Sequence, residues 1–479
     1  MSRKGIEGGS YKPLTDESVN KIHQSAMQII EEVGFQANSE AAMDLFEKGG
    51  AKVDRENRIA RVPQSKAMEL INMAPAEVKL CGQDENHDLL LGGPRVHAGT
   101  GGTALYIWDQ RKGEKRHAKL EDLKRLARLA DALENIHLFM LCTYPNDLPV
   151  EEVDINRFFA GLDNTTKHIM GGVYTPEGVQ QVIKMAEMIA GSPEELRKRP
   201  IISMITCAIS PMILDKSYGD LARPIVEAGI PLVVPSEPLT GATSPVTLAG
   251  NLVIQVVDSL MGVMLSQLIK EGAPVIYGSV ATSTDLSDLK YLAGTVESGL
   301  INAGAAQMAQ FYKIPYYATG GMTDSKILDS QSGYESAITS TLCALAGSNF
   351  IHDAAGLMEF AMSMSEEKLV IDNEILGMVM RAVEGIRVDD ESIGLDVIKD
   401  MGPGGNFVTA NHTRRHMRKE HYTPTLSDRE FREDWEAKGS KDTFQRAAER
   451  VDEILASPAR NLPAEVRGKI LSQIQNIRG

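Results

Sequence analysis

From about residue 137 onward, short and almost uninterrupted apolar runs alternate with longer stretches of helical period, a pattern few architectures satisfy. The runs are HLFMLCTYP (137–145), KHIMGGVY (167–174), PIISMITCAISP (200–211), IPLVVPSEPLTG (230–241), PVIYGSVATS (274–283), IPYYATGG (314–321), NFIHDAAGL (349–357) and KLVIDNEIL (368–376). Helical periodicity fills 176–190, 215–228, 248–270, 293–311 and 332–346 between them. Runs that are apolar throughout, instead of alternating with polar residues, fit parallel strands covered on both faces. Eight strands separated by helices predict a closed (β/α)8 barrel of the TIM type, in the α/β class. The rival is an open doubly wound sheet, but no GxGxxG follows the first run. The seventh helix is short, which makes the eighth repeat the thinnest part of the pattern.

Outside this region the pattern changes. Residues 1–135 read as α/β additions packed on the barrel, 136–390 as the barrel, and 391–479 as a C-terminal extension packed on it. Thr15 is placed to cap a helix with apolar positions Val19, Ile22, Ala26, Ile29, Ile30 and Val33, and Gly34 ends it. Further helices are expected at 39–48 and 120–133, with VHAGTGGTALYIWD (96–109) as strand and turns. After about residue 388 core periodicity is lost until an amphipathic helix at 442–455.

The length of 479 residues suits a large barrel with additions, and 43% hydrophobic with 24% charged residues is ordinary globular usage. The formal net charge of −15 argues against nucleic acid and favours a cationic ligand if the acid is focused at a site; acid spread for solubility would give the same total. Cys81, Cys142, Cys207 and Cys343 form no CxxC pair and read as reduced thiols. The N-terminal segment through residue 23 has no apolar signal core. The apolar stretch 248–269 is broken by Asn251, Gln255, Asp258, Ser259 and Gln267, so it reads as a buried amphipathic helix, not a membrane span. A cytoplasmic protein without membrane contacts is expected, assembled with copies of itself.

In a barrel, chemistry gathers at the C-terminal ends of the strands. That rule selects Tyr144, Asn146, Tyr174, Glu237, Ser279, Thr319, Gly320, Asp324, His352, Asp353 and Asp372, with Gln331 following the sixth run. Each polar residue is either paired within the fold or aimed at a ligand, and for any one position the structural role is at least as good a reading. Their recurrence at strand ends predicts a polar cup. Tyrosines 144 and 174 would give it aromatic faces for an ammonium ion through cation–π attraction. Strand alternation predicts that His352 and Asp353 point to opposite sides, with His352 inward.

Metal chemistry has little support. His412 and His416 have i, i+4 spacing, but the surrounding TRRHMRKEH is crowded with cations, so a solvated basic helix is the better reading. No P-loop and no GxSxG elbow occur.

Three segments are familiar in combination: LTDESVNKIHQSAMQIIEEVGF near the start, GGMTDSKILDSQSGYES (320–336), and GPGGNFVTANHTRRH (402–416) followed by DREFREDWEAKG. Through them the chain resembles the trimethylamine methyltransferase family over nearly its whole length. The resemblance implies the barrel, and a methyl transfer from an amine nitrogen to Co(I) of a corrinoid (cobalamin) carried on a separate partner protein, with no tightly bound metal. Family members that use trimethylamine carry pyrrolysine; all 479 positions here are standard amino acids. A quaternary ammonium needs no such help, because it leaves as a neutral amine. The expected substrate is therefore a small quaternary amine, with glycine betaine giving dimethylglycine as first choice. In that reading Tyr144 and Tyr174 hold the ammonium, Glu237, Asp324, Asp353 and Asp372 supply negative potential, and His352, Asn146, Gln331 and Thr319 bind the substrate carboxylate. Two other readings stand beside it: a metal-dependent barrel lyase or aldolase using Asp353, Asp372 and Glu374, and a non-catalytic betaine-binding protein.

Overall fold

The computed structural model describes residues 5–479; the first four residues, which open the segment judged to lack a signal core, lie outside it. Eight parallel strands dominate: β1 (Arg95–Thr100), β2 (Phe139–Met140), β3 (Ile169–Gly172), β4 (Ile202–Ile205), β5 (Leu232–Ser236), β6 (Val275–Ser279), β7 (Tyr316–Thr319) and β8 (Phe350–Ala355). Each of β2 to β7 pairs in parallel with the next in the chain, and β8 pairs in parallel with β1. The two ends of this order also meet. Gly99 bridges Leu138 in parallel, His137 donates its amide to Ala98 O at 2.8 Å, and Thr100 Oγ1 donates to Met140 O at 2.8 Å.

Seven of these strands lie in the runs expected. The eighth does not. Residues 368–376 belong to the helix Glu366–Glu384, and the missing strand is Arg95–Thr100, from the region read as an N-terminal addition. The physical reason is local. Lys368 and Asp372 are one helical turn apart and pair at 2.6 Å, and the short apolar run they bracket fits a helix face as well as a strand. The boundary expected near residue 136 therefore cuts through the sheet.

Alternation along the strands divides the core in two. Leu138, Met140, Met170, Val233, Ile276, Tyr317 and Phe350 pack together on the side away from the helices, against Val78, Leu80, Leu89 and Leu91 of a small hairpin. Their neighbours Phe139, Leu141, Ile169, Val234, Val275, Tyr277 and Tyr316 join the larger cluster that holds the helices. The helix Leu248–Ile269 is long and apolar enough to cross a membrane, but most of it is buried within the protein on all sides, and its polar Asn251, Gln255, Asp258 and Gln267 are buried too. It is thus a core helix without the polar face expected of an amphipathic one.

Local signals account for the helix ends. Thr15, Ser39, Thr175, Asp215, Thr247 and Asp442 each accept an amide of the first turn from a side-chain oxygen. In the tail, helix Thr443–Ala456 packs against the helices Glu366–Glu384 and Leu120–Ala132, and Arg111 ties to it through Asp452 at 2.8 Å.

Candidate functional site at the strand ends

A cavity of about 700 Å³ opens at the C-terminal ends of the parallel strands. Gly102 and Thr103 follow β1, Cys207 to Ser210 follow β4, Glu237 and Leu239 follow β5, and Val280 follows β6. His352 and Asp353 come from β8, Tyr291 from the hairpin Ser283–Asp285/Lys290–Leu292, and Phe360 to Met362 from a turn at the mouth.

His352 and Asp353 both line this cavity, against the expectation from alternation. Asp353 has a φ of +62°, a left-handed conformation that an aspartate tolerates better than most residues, and the β8–β1 register shifts at this point. The twist brings consecutive side chains to one side. Asp353 Oδ1 accepts the Gly102 amide at 2.9 Å, which holds the carboxylate toward the turn after β1. His352 stacks on the Tyr317 ring with centroids 4.5 Å apart, and its Nδ1 lies 3.4 Å from Thr319 Oγ1. His352 Nε2 is 2.8 Å from Asp353 Oδ1, yet this buried nitrogen makes no hydrogen bond.

Glu237 faces the same space. The residue is exposed at the mouth, yet the protein crowded around the cavity desolvates its carboxyl, and this, reinforced by the charge of Asp353, pushes its pKa up to about 7. Tyr291 is also pushed upward, by burial and then by Glu237, Asp353 and Asp324. Cys207 opens onto the cavity, yet the surrounding protein pushes it up to about 12, with Glu237 adding to the effect. It is a thiol at neutral pH, not an activated nucleophile.

The mouth is shaped by strained backbone. Glu359, Phe360 and Ala361 have φ of +51°, +59° and +64° in succession. Lys115 holds Glu359 at 2.5 Å and Lys326 sits 4.2 Å over the Phe360 ring. Such conformations persist only where surrounding contacts fix them, and they concentrate at sites.

The other expected site residues lie elsewhere or serve the backbone. Tyr144 and Tyr174 pair edge to face with centroids 5.8 Å apart, but neither is among the residues lining the cavity. The Tyr174 ring is already met by Arg157 at 5.6 Å, and its hydroxyl accepts Arg157 Nη1 at 3.1 Å. Asn146 donates to the carbonyls of Leu105, Ala118 and Tyr144. Ser279 Oγ accepts the Ala281 amide, and Thr319 Oγ1 donates to Ser279 O. Gly320 sits where a Cβ would press on Cys343 Sγ and Thr339 O at 2.9 and 3.0 Å. Asp324 Oδ1 accepts the Ala293 amide at 2.8 Å, holding the segment after the hairpin, and burial raises its pKa. Gln331 donates to Glu335 at 2.9 Å. Asp372 lies in a helix, where it pairs with Lys368 and accepts the Gly356 amide at 2.8 Å. Glu374 accepts Thr425, Leu426 and Ser427 amides.

Asp353, Asp372 and Glu374 thus have separate partners, which removes the acidic triad of the lyase reading. Among the described residues no group of three or more His, Cys, Asp or Glu is arranged to hold a metal ion. Gly102, Thr103, Ser210, Tyr291 and Phe360 also line the cavity and are not among the residues that strand-end position selects. The signal for the first two was present in GTGGT (99–103), a glycine-rich turn after a β-rich run.

Comparison with known proteins places this geometry in context. A family model for trimethylamine methyltransferase (MTTB) matches residues 4–475. The chain is 35% identical over 472 residues to a trimethylamine methyltransferase MttB of Desulfitobacterium hafniense (strain DSM 10664 / DCB-2), covering 98% of this chain and 94% of that one. It is 33% identical to a glycine betaine methyltransferase of Desulfitobacterium hafniense (strain Y51), covering 93% of each. Among solved structures, the hydroxylamine MtmB complex superposes with a TM-score of 0.50 at 12% identity, covering 94% of this chain and 95% of that one.

Proposed function

The chain belongs to the trimethylamine methyltransferase family and is a methyltransferase acting on methylated amines, and from that premise we propose that its donor is a quaternary ammonium and its acceptor Co(I) of a corrinoid on a separate protein. We read the eight-strand ring as a closed (β/α)8 barrel whose interior core is plugged by the Val78–Leu80/Leu89–Leu91 hairpin, with the catalytic cup at the opposite end. The site is read as cytoplasmic chemistry, without nucleic acid or membrane.

The observation that carries the proposal is the facing of Glu237 and Asp353 into one cavity that also holds Tyr291 and His352. Two carboxylates at the ends of β5 and β8 create a negative potential where a methylated cation would sit, and Tyr291 offers it an aromatic surface. The protein's part is to bind, orient and exclude water. As the methyl passes to the acceptor the C–N bond breaks, its electron pair stays on nitrogen, and a neutral tertiary amine leaves. No proton is needed at nitrogen, which suits a cavity whose acids serve as charges. The apolar rim residues Ile209 and Met362 are exposed at the mouth, leaving the cup open to a bulky acceptor.

Methyl transfer is tested with donors carrying an isotopically labelled N-methyl group, incubated with the protein and Co(I) cobalamin. Label on cobalt together with one equivalent of tertiary amine is expected. Label that stays on nitrogen with bound donor would instead fit a binding protein.

A further inference from the structure

The charge on the cavity wall has one sign. Glu237 and Asp353 line it, and among the described residues that line it there is no lysine or arginine. Cations that contact residues at its wall and mouth are engaged. Arg157 stands behind Thr103, donating to Thr103 Oγ1 at 3.1 Å and to the carbonyls of Leu141 and Thr143. Lys326 lies over the ring of Phe360 and donates to Asp324 O at 2.8 Å, and Lys115 pairs with Glu359. His352 Nε2 is the remaining donor candidate, and Asp353 already lies 2.8 Å from it.

A carboxylate brought into this space would meet two like charges and no lysine or arginine, and like charges at close range disfavour it. In glycine betaine the carboxylate stands one methylene from the ammonium nitrogen. The acids cannot attract one end without repelling the other.

We infer that the methyl donor is a quaternary ammonium that carries no carboxylate, its remaining substituent neutral and either alkyl or hydroxyl-bearing. The inference rests on the methyl-donor reading of the cavity given above, and it moves the expected substrate away from glycine betaine. A hydroxyl would have Ser210 and Thr103 within the same lining as hydrogen-bond partners.

The test is calorimetric titration of the full chain with tetramethylammonium, choline and glycine betaine at about pH 8, alongside Co(I) cobalamin methylation with the same three compounds. The carboxylate-free ions should bind about tenfold or more tightly than glycine betaine, and Glu237→Gln should narrow that gap. Glycine betaine binding as tightly as choline, or a folded Glu237→Gln protein that keeps the full gap, overturns the inference while the methyltransferase reading stands. Neither binding nor methyl transfer with any of the three overturns both.

Discussion

Asp353 and Gly102, 251 residues apart in sequence, join the ends of β8 and β1 through a 2.9 Å hydrogen bond from the Gly102 amide to Asp353 Oδ1. The bond fixes a left-handed Asp353 and so decides that the side chains of His352 and Asp353 share one cavity.

Asp353→Asn keeps an acceptor for Gly102 and the tolerance for positive φ, but removes the charge. We expect the variant to melt within a few degrees of the wild type and to bind tetramethylammonium about tenfold more weakly, equivalent to about 1.4 kcal/mol. Unchanged affinity in a folded variant would place the ammonium elsewhere.

Cation affinity should depend on pH through Glu237, whose pKa is pushed up to about 7 by burial and by Asp353. The ionised carboxylate attracts the cation and the protonated one does not, so binding pulls the proton off and affinity rises as pH climbs through 7. Asp353, His352, Tyr291 and Cys207 face the same space, and of these Tyr291 and Cys207 are raised and stay protonated through that range. Titrating tetramethylammonium from about pH 6 to about pH 8 should show the rise, and Glu237→Gln should flatten it. A flat wild-type profile would contradict the assignment.

Arg157 is buried and donates to the carbonyls of Leu141 and Thr143, to Thr103 Oγ1 and to the Tyr174 hydroxyl, tying the ends of β1, β2 and β3 together. Arg157→Met leaves these carbonyls without a donor and should lower unfolding stability by about 3 kcal/mol in denaturant titration. Tyr174→Phe, losing one hydroxyl, should cost about 1 kcal/mol at most and leave onium affinity within about twofold, because its ring is engaged by Arg157 and not by the cavity. A large loss of onium affinity in Tyr174→Phe would restore the tyrosine pair to the site.

Lys368 and Asp372 form a fully buried pair one helical turn apart, with Lys368 also donating to Ser336 Oγ at 2.7 Å. Lys368→Met strands the carboxylate and should cost about 3–5 kcal/mol. Where the variant still folds, its affinity for a methylated ammonium should match the wild type; a selective loss of affinity would return Asp372 to the site.

How far the sequence could be read follows from which signals are local. Parallel strands buried on both faces leave continuous apolar runs, so β2 to β8 are visible in the sequence, and the cap at Thr15 marks the first helix. The remaining strand was concealed by competition between two short segments. VHAGT carried β-branched character, and the helix Leu120–Ala132 separates it from β2 as a repeat would, but KLVIDNEIL offered a later apolar run of similar length. The long-range pairing of β1 with β8 decided between them, and no window of sequence contains it. For the same reason Glu237, His352 and Asp353 could be named from strand ends, while Tyr291 and Gly102 arrive from segments whose placement depends on long-range strand pairing. The inward turn of Asp353 was illegible because alternation assumes extended backbone, and this residue is left-handed.

The central claim is that this chain moves a methyl group from a quaternary ammonium to cobalt without pyrrolysine. It is tested by following Co(I) cobalamin spectroscopically with the purified protein, offering quaternary ammonium ions and trimethylamine separately. The account predicts loss of the Co(I) absorption with formation of methylated cobalt and one equivalent of tertiary amine from a quaternary donor, and no reaction with trimethylamine. Rapid demethylation of trimethylamine, with the quaternary ions inert, would contradict it.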